Sequence, residues 1–361
     1  MIILMLLMQM LFSQEELLYH QYSTITETCV INNNTIYAKV ISKPYLFYTK
    51  DGGKNWKNLN FGTIEDIEDI EYDGKFLWAV SRGGILFKVN PKTNEIKDID
   101  VGYFGYKNNG SYNNSIAIQG NNIVLSHFNN KISISRDYGK SWIVKDISKV
   151  DGYNYKYSNL FLFDNILYLY YSIDYSSNGD KDYMMSGNNL YVQVVDSLNN
   201  VSKWIKTDDD PNSVLNKKPD STYKRELFLQ STDFGDSWSE FVEVEDKGVW
   251  NMKKHKQDLW IYGVGGILAK TSDNGVSWEW FDVGVKKSIS DIEFVGDKLL
   301  LGIGFNTAIV KEFEYKSLKK LNIIKTIYED ENSSIKDIEL YDGNLYISGG
   351  DNGRLLKMKY K

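Results

Sequence analysis

Short runs of alternating or continuous apolar residues recur along this chain, bounded by Gly, Asp, Asn or Ser. YLFYT (45–49), KISIS (131–135), ELFLQS (226–231) and ILAKT (267–271) read as strands. Each is followed across a short turn by a second strand, such as WKNLNF (56–61) or WIVKDI (142–147). The turn is one pattern used four times, (Ser/Thr)-x-Asp-x-Gly-x-x-Trp. Its copies are Thr49, Asp51, Gly53, Trp56; Ser135, Asp137, Gly139, Trp142; Ser231, Asp233, Gly235, Trp238; and Thr271, Asp273, Gly275, Trp278. The hydroxyl and carboxylate suit bonds to nearby amides, the Gly permits a positive φ, and the Trp buries its face as the next strand begins.

Asp51 and Asp137 lie 86 residues apart, twice 43, and Asp233 and Asp273 lie 40 apart. A second pattern marks the same period: DIEYDGKFLWAV from Asp69, DIEFVGDKLLLGI from Asp291 and DIELYDGNLYIS from Asp337. Each is a strand, a tight turn and a second strand. A period near 40 to 45 with four strands per unit predicts an all-β, seven-bladed β-propeller. The units run approximately 22–61, 62–102, 111–148, 155–246, 247–284, 285–324 and 333–361. The last has room for three strands, so the strand-like segment from Glu16 to Tyr22 is expected to supply the fourth and close the ring.

Composition agrees. Aromatic residues are 14%, with 28 Gly and only 4 Pro, which suits many strands joined by Gly turns. A net charge of −6 gives no global basic field, so nucleic acid and anionic membrane surfaces are not expected partners. Cys29 is the single cysteine, so no intramolecular disulfide forms. The apolar run Ile2 to Phe12 is too short to span a bilayer and reads as the core of a secretory signal over 1–13, although no Lys or Arg precedes it. The expectation is a secreted or periplasmic protein whose propeller occupies 14–361, or a cytoplasmic one if the run is not a signal but a buried first strand or a misplaced start. No membrane span is expected elsewhere.

The four turn copies resemble the Asp-box, or BNR, repeat, and over roughly 22–361 the chain resembles an Asp-box β-propeller. This resemblance implies a fold rather than an activity, since the repeat occurs in sialidases, xyloglucan hydrolases, sortilin-type receptors and photosystem II stability factors. The sialidase pattern would require an arginine triad and an Arg-Ile-Pro motif. Only Arg82, Arg136, Arg225 and Arg354 are present, and none precedes Ile-Pro. The xyloglucan hydrolases use two facing propellers; this chain has one.

Other chemistries find little. His20, His127 and His255 have no zinc-ligand spacing, and there is no Gly-x-Ser-x-Gly elbow or phosphate-binding Gly loop. Gly83-Gly84 and Gly265-Gly266 read as turns between second and third strands. Asp69, Glu71, Asp291, Glu293, Asp337 and Glu339 sit at blade starts, where they either flank innermost strands or ring the central channel.

Blade 4 breaks the period, for Asp137 and Asp233 are 96 residues apart. The excess falls at about 173–223, between second and third strands. Long insertions of this kind are usually functional or disordered. As a recognition arm its contacts would be Tyr183, Met184, Tyr191 and Trp204; the alternative is a decorative hairpin. Asp174, Asp180 and Asp182 begin a calcium-loop pattern, but Met185 stands where its closing Glu belongs. No other cofactor is expected. The reading is an exported, non-catalytic propeller that binds a protein or glycan through the insert-bearing face; the alternative is a glycoside hydrolase or lyase at the channel mouth.

Overall fold

The computed structural model describes residues 16–20, 23–102, 114–127, 131–147, 158–176, 183–186, 189–196, 201–207, 222–243, 248–304, 307–315, 322–350 and 353–360. Seven four-stranded antiparallel sheets stand in a ring, a seven-bladed β-propeller with almost no helix. Blade 1 is β2 (Ile25–Val30), β3 (Ile36–Val40), β4 (Tyr45–Thr49) and β5 (Lys57–Asn60). Blade 2 is β6 (Ile67–Tyr72), β7 (Leu77–Ser81), β8 (Leu86–Val89) and β9 (Ile96–Ile99). Blade 3 is β10 (Ile116–Gln119), β11 (Asn122–His127), β12 (Lys131–Ser135) and β13 (Ile143–Asp146). Blade 4 is β14 (Ser158–Phe163), β15 (Ile166–Ser176), β19 (Thr222–Ser231) and β20 (Ser239–Glu243). Blade 5 is β21 (Val249–His255), β22 (Asp258–Gly263), β23 (Leu268–Thr271) and β24 (Glu279–Trp280). Blade 6 is β25 (Ile289–Val295), β26 (Lys298–Ile303), β27 (Ala308–Glu314) and β28 (Asn322–Asp330).

Blade 7 closes the ring. It holds β29 (Ile335–Tyr341), β30 (Asn344–Gly349) and β31 (Arg354–Lys359), and β1 (Glu16–His20) pairs with β31 as its outer strand. The closing strand expected from the sequence is therefore present. One boundary differs. Blade 6 was expected to end near 324, but β28 runs to Asp330, because register shifts at Val310/Lys311 and Glu312/Phe313 let the longer strand follow β27.

Residues 173–225 form a compact unit of their own. It contains a three-stranded sheet of β16 (Tyr183–Ser186), β17 (Asn189–Asp196) and β18 (Val201–Thr207).

The blades stack face to face, so their second strands are buried on both sides and read as continuous apolar runs. DLWIYG in β22 and NLYISG in β30 are buried at every position. The cores lie between blades. Tyr37, Leu46, Ile70 and Phe87 fill the gap between blades 1 and 2, and Trp260, Phe281, Ile292 and Phe313 that between blades 5 and 6.

Each of the four repeated turns joins a third strand to a fourth and repeats one hydrogen-bond set. Thr49 Oγ1 donates to Asp51 Oδ1 at 2.8 Å and accepts from the Gly53 amide at 3.0 Å. Asp51 in turn accepts from the Asn55 amide at 2.9 Å. Ser135/Asp137/Gly139, Ser231/Asp233/Gly235 and Thr271/Asp273/Gly275 do the same, with Ser141, Ser237 and Ser277 in the place of Asn55. These bonds hold the Asp51, Asp137 and Asp273 carboxyls down at about 2. The turn's Gly does two things. Gly275 has φ +86°, and a Cβ on it would lie 2.5 Å from the Phe241 ring of the preceding blade.

Candidate functional site

Antiparallel order fixes which connections share a face. First-to-second and third-to-fourth turns lie on one face of the ring; second-to-third turns and blade-to-blade connections lie on the other. The repeated Asp turns belong to the first face. The Gly83-Gly84 and Gly265-Gly266 turns, and the connection of blade 4 that the insert interrupts, belong to the second. At Gly266 the turn also presses on the next blade connection, since a Cβ there would lie 2.1 Å from the Val285 carbonyl oxygen.

A cavity of about 490 Å³ occupies the channel, lined by residues from the innermost strands of all seven blades. The lining comes from the opening halves of these strands, so the cavity lies toward the second face. A repeated local device aims it. In β2, β6, β21, β25 and β29 a buried Ile or Val is followed two positions later by a polar residue, with a bulge between them. The pairs are Ile25/Glu27, Ile67/Asp69, Val249/Asn251, Ile289/Asp291 and Ile335/Asp337. A bulge re-aims the side chain that follows it. Here it turns five polar residues into the channel while the apolar partner stays in the interblade core.

The wall is chemically lopsided. Blades 6, 7, 1 and 2 supply Asp291, Asp337, Glu27, Glu68, Asp69 and Glu71; blades 3, 4 and 5 supply Asn114, Ser115, Asn159, Phe161 and Asn251. Most of the carboxyl groups are already engaged. Asp69 Oδ2 accepts from Ser115 Oγ and the Ile116 amide, both at 2.9 Å. Asp291 accepts from Tyr262 Oη at 3.0 Å and the Ile338 amide at 3.2 Å. Asp337 Oδ2 accepts from the Thr28 amide and hydroxyl at 2.8 and 2.5 Å. Each is a strut between neighbouring blades.

Two lysines temper the charge. Lys39 pairs with Glu27 at 2.7 Å, and Lys253 with Glu293 at 2.5 Å. Burial works against both ammonium groups, but Glu27 and Asp69 outweigh it for Lys39, as Asp291 and Glu293 do for Lys253, and both stand above their usual range. Burial also raises the carboxyl groups of the wall, which favours their neutral form. Burial, with Asp69 and Asp73 nearby, pushes Glu71 up to about 8. Burial and Asp291 push Asp337 up to about 7. Burial and Asp337 push Glu339 up to about 8.

Of the residues singled out in the sequence, Asp69, Glu71, Asp291 and Asp337 line the cavity, while Glu293 and Glu339 act beside it. Sequence reasoning missed Glu27, Lys39, Glu68, Asn114, Asn159, Asn251 and Lys253. The apolar-x-polar start of the innermost strands was the available signal for Glu27 and Asn251. In the insert, Tyr183 registers with Val192, Tyr191 with Met184 and Lys206, and Trp204 with Gln193. Asp174 lies in β15; Asp180 and Asp182, and with them most of the calcium-loop pattern, lie outside the described residues. Among the described residues no three His, Cys, Asp or Glu side chains converge on a metal-sized site.

The arginines are dispersed. Arg82 pairs with Asp66 and Glu68, Arg136 lies over the Phe234 ring, Arg354 pairs with Asp330, and Arg225 falls in β19. His127 is buried and shares a 2.7 Å hydrogen bond with Ser133 Oγ; burial holds it down at about 4, so it stays neutral. His255 stacks on Phe294 with ring centroids 4.1 Å apart.

No family model and no curated protein matches this chain. Solved structures do. YCF48 bound to D1 peptide is 14% identical with a TM-score of 0.60, over 96% of this chain and 97% of that one. YCF48 from Cyanidioschyzon merolae is 12% identical with a TM-score of 0.56, over 96% and 98%. A catalytically inactive virginiamycin B lyase from Staphylococcus aureus with quinupristin is 13% identical with a TM-score of 0.60, over 96% and 99%. The likeness is one of fold. Among the described residues no helix is long and apolar enough to cross a membrane.

Proposed function

We propose that this chain is a non-catalytic, partner-binding propeller of the Asp-box type, exported, that takes a protein or glycan through the face from which its insert emerges. The observation that carries this reading is the channel-mouth cavity. Seven blades line it with polar groups, yet its Asp69, Asp291 and Asp337 carboxyls are committed to blade-to-blade hydrogen bonds. Groups fixed in that way shape and charge a depression more readily than they shuttle protons. The solved propeller with a bound D1 peptide offers a precedent for a protein ligand on this fold. The identical hydrogen-bond set in four turns supports the Asp-box assignment, and the apolar run Ile2 to Phe12 supports export.

Peptide and glycan arrays probed with the whole protein test the reading. Ser290→Trp, which fills the cavity, and removal of 176–221 are each expected to abolish the array signal with the melting temperature kept. Binding that survives both changes refutes it. A glycoside hydrolase or lyase at the channel mouth is the second reading, favoured by Glu71 and Asp337, whose carboxyls titrate near neutral pH. It requires turnover of some glycan on the array that Glu71→Gln abolishes.

A further inference from the structure

Two branched apolar side chains stand in water on the second face, beside the channel mouth. Ile41, in the β3–β4 turn, is 54% exposed, and Ile64, in the connection from blade 1 to blade 2, is 87% exposed. Their loops are tied to each other and to the wall. The Ile67 amide donates to the Lys43 carbonyl, and the Ile41 amide to the Thr24 carbonyl just ahead of β2, both at 3.0 Å. Neighbouring apolar groups held out beside a cavity mark a contact surface.

From these loops β2 and β6 lead down the channel wall. Six carboxyl groups and two lysines, Lys39 and Lys336, line the cavity, so its balance is negative. Three of the carboxyls have a cation of their own: Glu27 pairs with Lys39, Glu68 with Arg82 and Asp291 with Lys253. Among the described residues Asp69, Glu71 and Asp337 form no ion pair. Asp69 and Asp337 accept from amides and hydroxyls, which fix their positions and leave lone pairs over. Glu71 has neither hydrogen bond nor ion pair, although burial is the strongest influence on its carboxyl. It lies two residues beyond Asp69 on β6, about 7 Å deeper at the rise of a strand. The acids thus run down the pit, and the apolar pair stands at its edge. A cation seated among the raised Glu71 and Asp337 carboxyls supplies the counter-charge that the wall lacks and displaces their protons.

We propose that the mouth docks a protein segment carrying a Lys or Arg next to apolar residues. The basic side chain enters the channel among Asp69, Glu71 and Asp337, and the apolar neighbours rest on Ile41 and Ile64. Resting on the partner-binding reading above, this narrows the ligand from protein or glycan to a basic peptide with apolar flanks. Aliphatic groups at the edge suit protein side chains, and the negative wall repels acidic peptides and acidic glycans.

An array of random heptapeptides and a glycan array, both probed with the whole protein, test this. Bound peptides are expected to be rich in Lys or Arg beside Leu, Ile, Val or Phe and poor in Asp and Glu. The tightest of them is then titrated by fluorescence anisotropy. Replacing its basic residue by Gln, or Glu71→Gln in the protein, is expected to weaken binding ~10-fold, and the two changes together no more than either alone. Ile41→Ser with Ile64→Ser is expected to weaken it ~10-fold. These variants keep the fold, because Glu71 has no internal bond to lose and both isoleucines stand in water. Bound peptides without a basic residue, losses that add, or an affinity unchanged in either variant overturn the proposal. Glycan binding without peptide binding also overturns it and leaves the partner-binding reading standing, whereas silence on both arrays overturns both.

Discussion

Glu71→Gln isolates one buried proton. Glu71 stands half-buried in the channel wall, raised from an ordinary 4.5 to about 8, with burial as the main cause. Folding therefore holds a proton that the unfolded chain releases. The stability it contributes is whole below about pH 4.5 and declines as pH rises toward 8. At about 1.4 kcal/mol per unit, this one group makes the protein about 3 kcal/mol less stable at pH 8 than at pH 5. Access of channel water to a half-buried carboxyl reduces the figure to about 2 kcal/mol. Gln has the same shape and never ionises, so the variant loses this share of the slope. Urea unfolding followed by tryptophan fluorescence at several pH values reads it. The difference between wild-type and variant stability is expected to be near zero at pH 5 and about 2 kcal/mol in the variant's favour at pH 8. A difference curve flat with pH, or one rising toward acid, refutes the reasoning.

Gly275→Ala is expected to cost about 2–3 kcal/mol, because it combines a strained positive φ with a clash on Phe241. Gly265→Ala, with φ +68° and open space around it, is expected to cost about 1 kcal/mol; denaturant midpoints compare the two. Asp51→Asn is expected to lower the melting temperature, since it weakens the bonds to Thr49 and Asn55, and to leave ligand binding intact; a stable variant without binding would contradict this. Removing residues 1–20 is expected to expose the edge of β31 and promote association, seen as concentration-dependent light scattering.

The propeller was legible because each blade repeats its own local chemistry. An Asp turn or a D-I-E strand start marks the register wherever it occurs, and the apolar second strands fill the spacing between them. Blade 6 was misjudged at its end because NIIKTIYED carries no such marker, and its length depends on bulges that only pairing with β27 creates. The channel was half legible. Asp69, Asp291 and Asp337 share a motif with visible spacing, so their common position could be read. Glu27 and Asn251 occupy the same structural position in the strands ITETCV and VWNMKKH, where the neighbours differ. Lys39 meets Glu27 through the register of the β2–β3 pair, and Lys253 meets Glu293 of the next blade, so strand register and blade packing rather than any local motif bring these ion pairs together.

That closure has a consequence for biosynthesis. Because β1 pairs with β31, this strand must wait for its partner until a stretch more than three hundred residues further along the chain has left the ribosome. Six blades can assemble in order as they emerge, each from neighbouring sequence, while the seventh joins residues more than three hundred positions apart. A chain cut short anywhere upstream of β31 thus presents a waiting strand and an unsealed ring, a ready signal by which chaperones and proteases can tell an unfinished copy from a finished one.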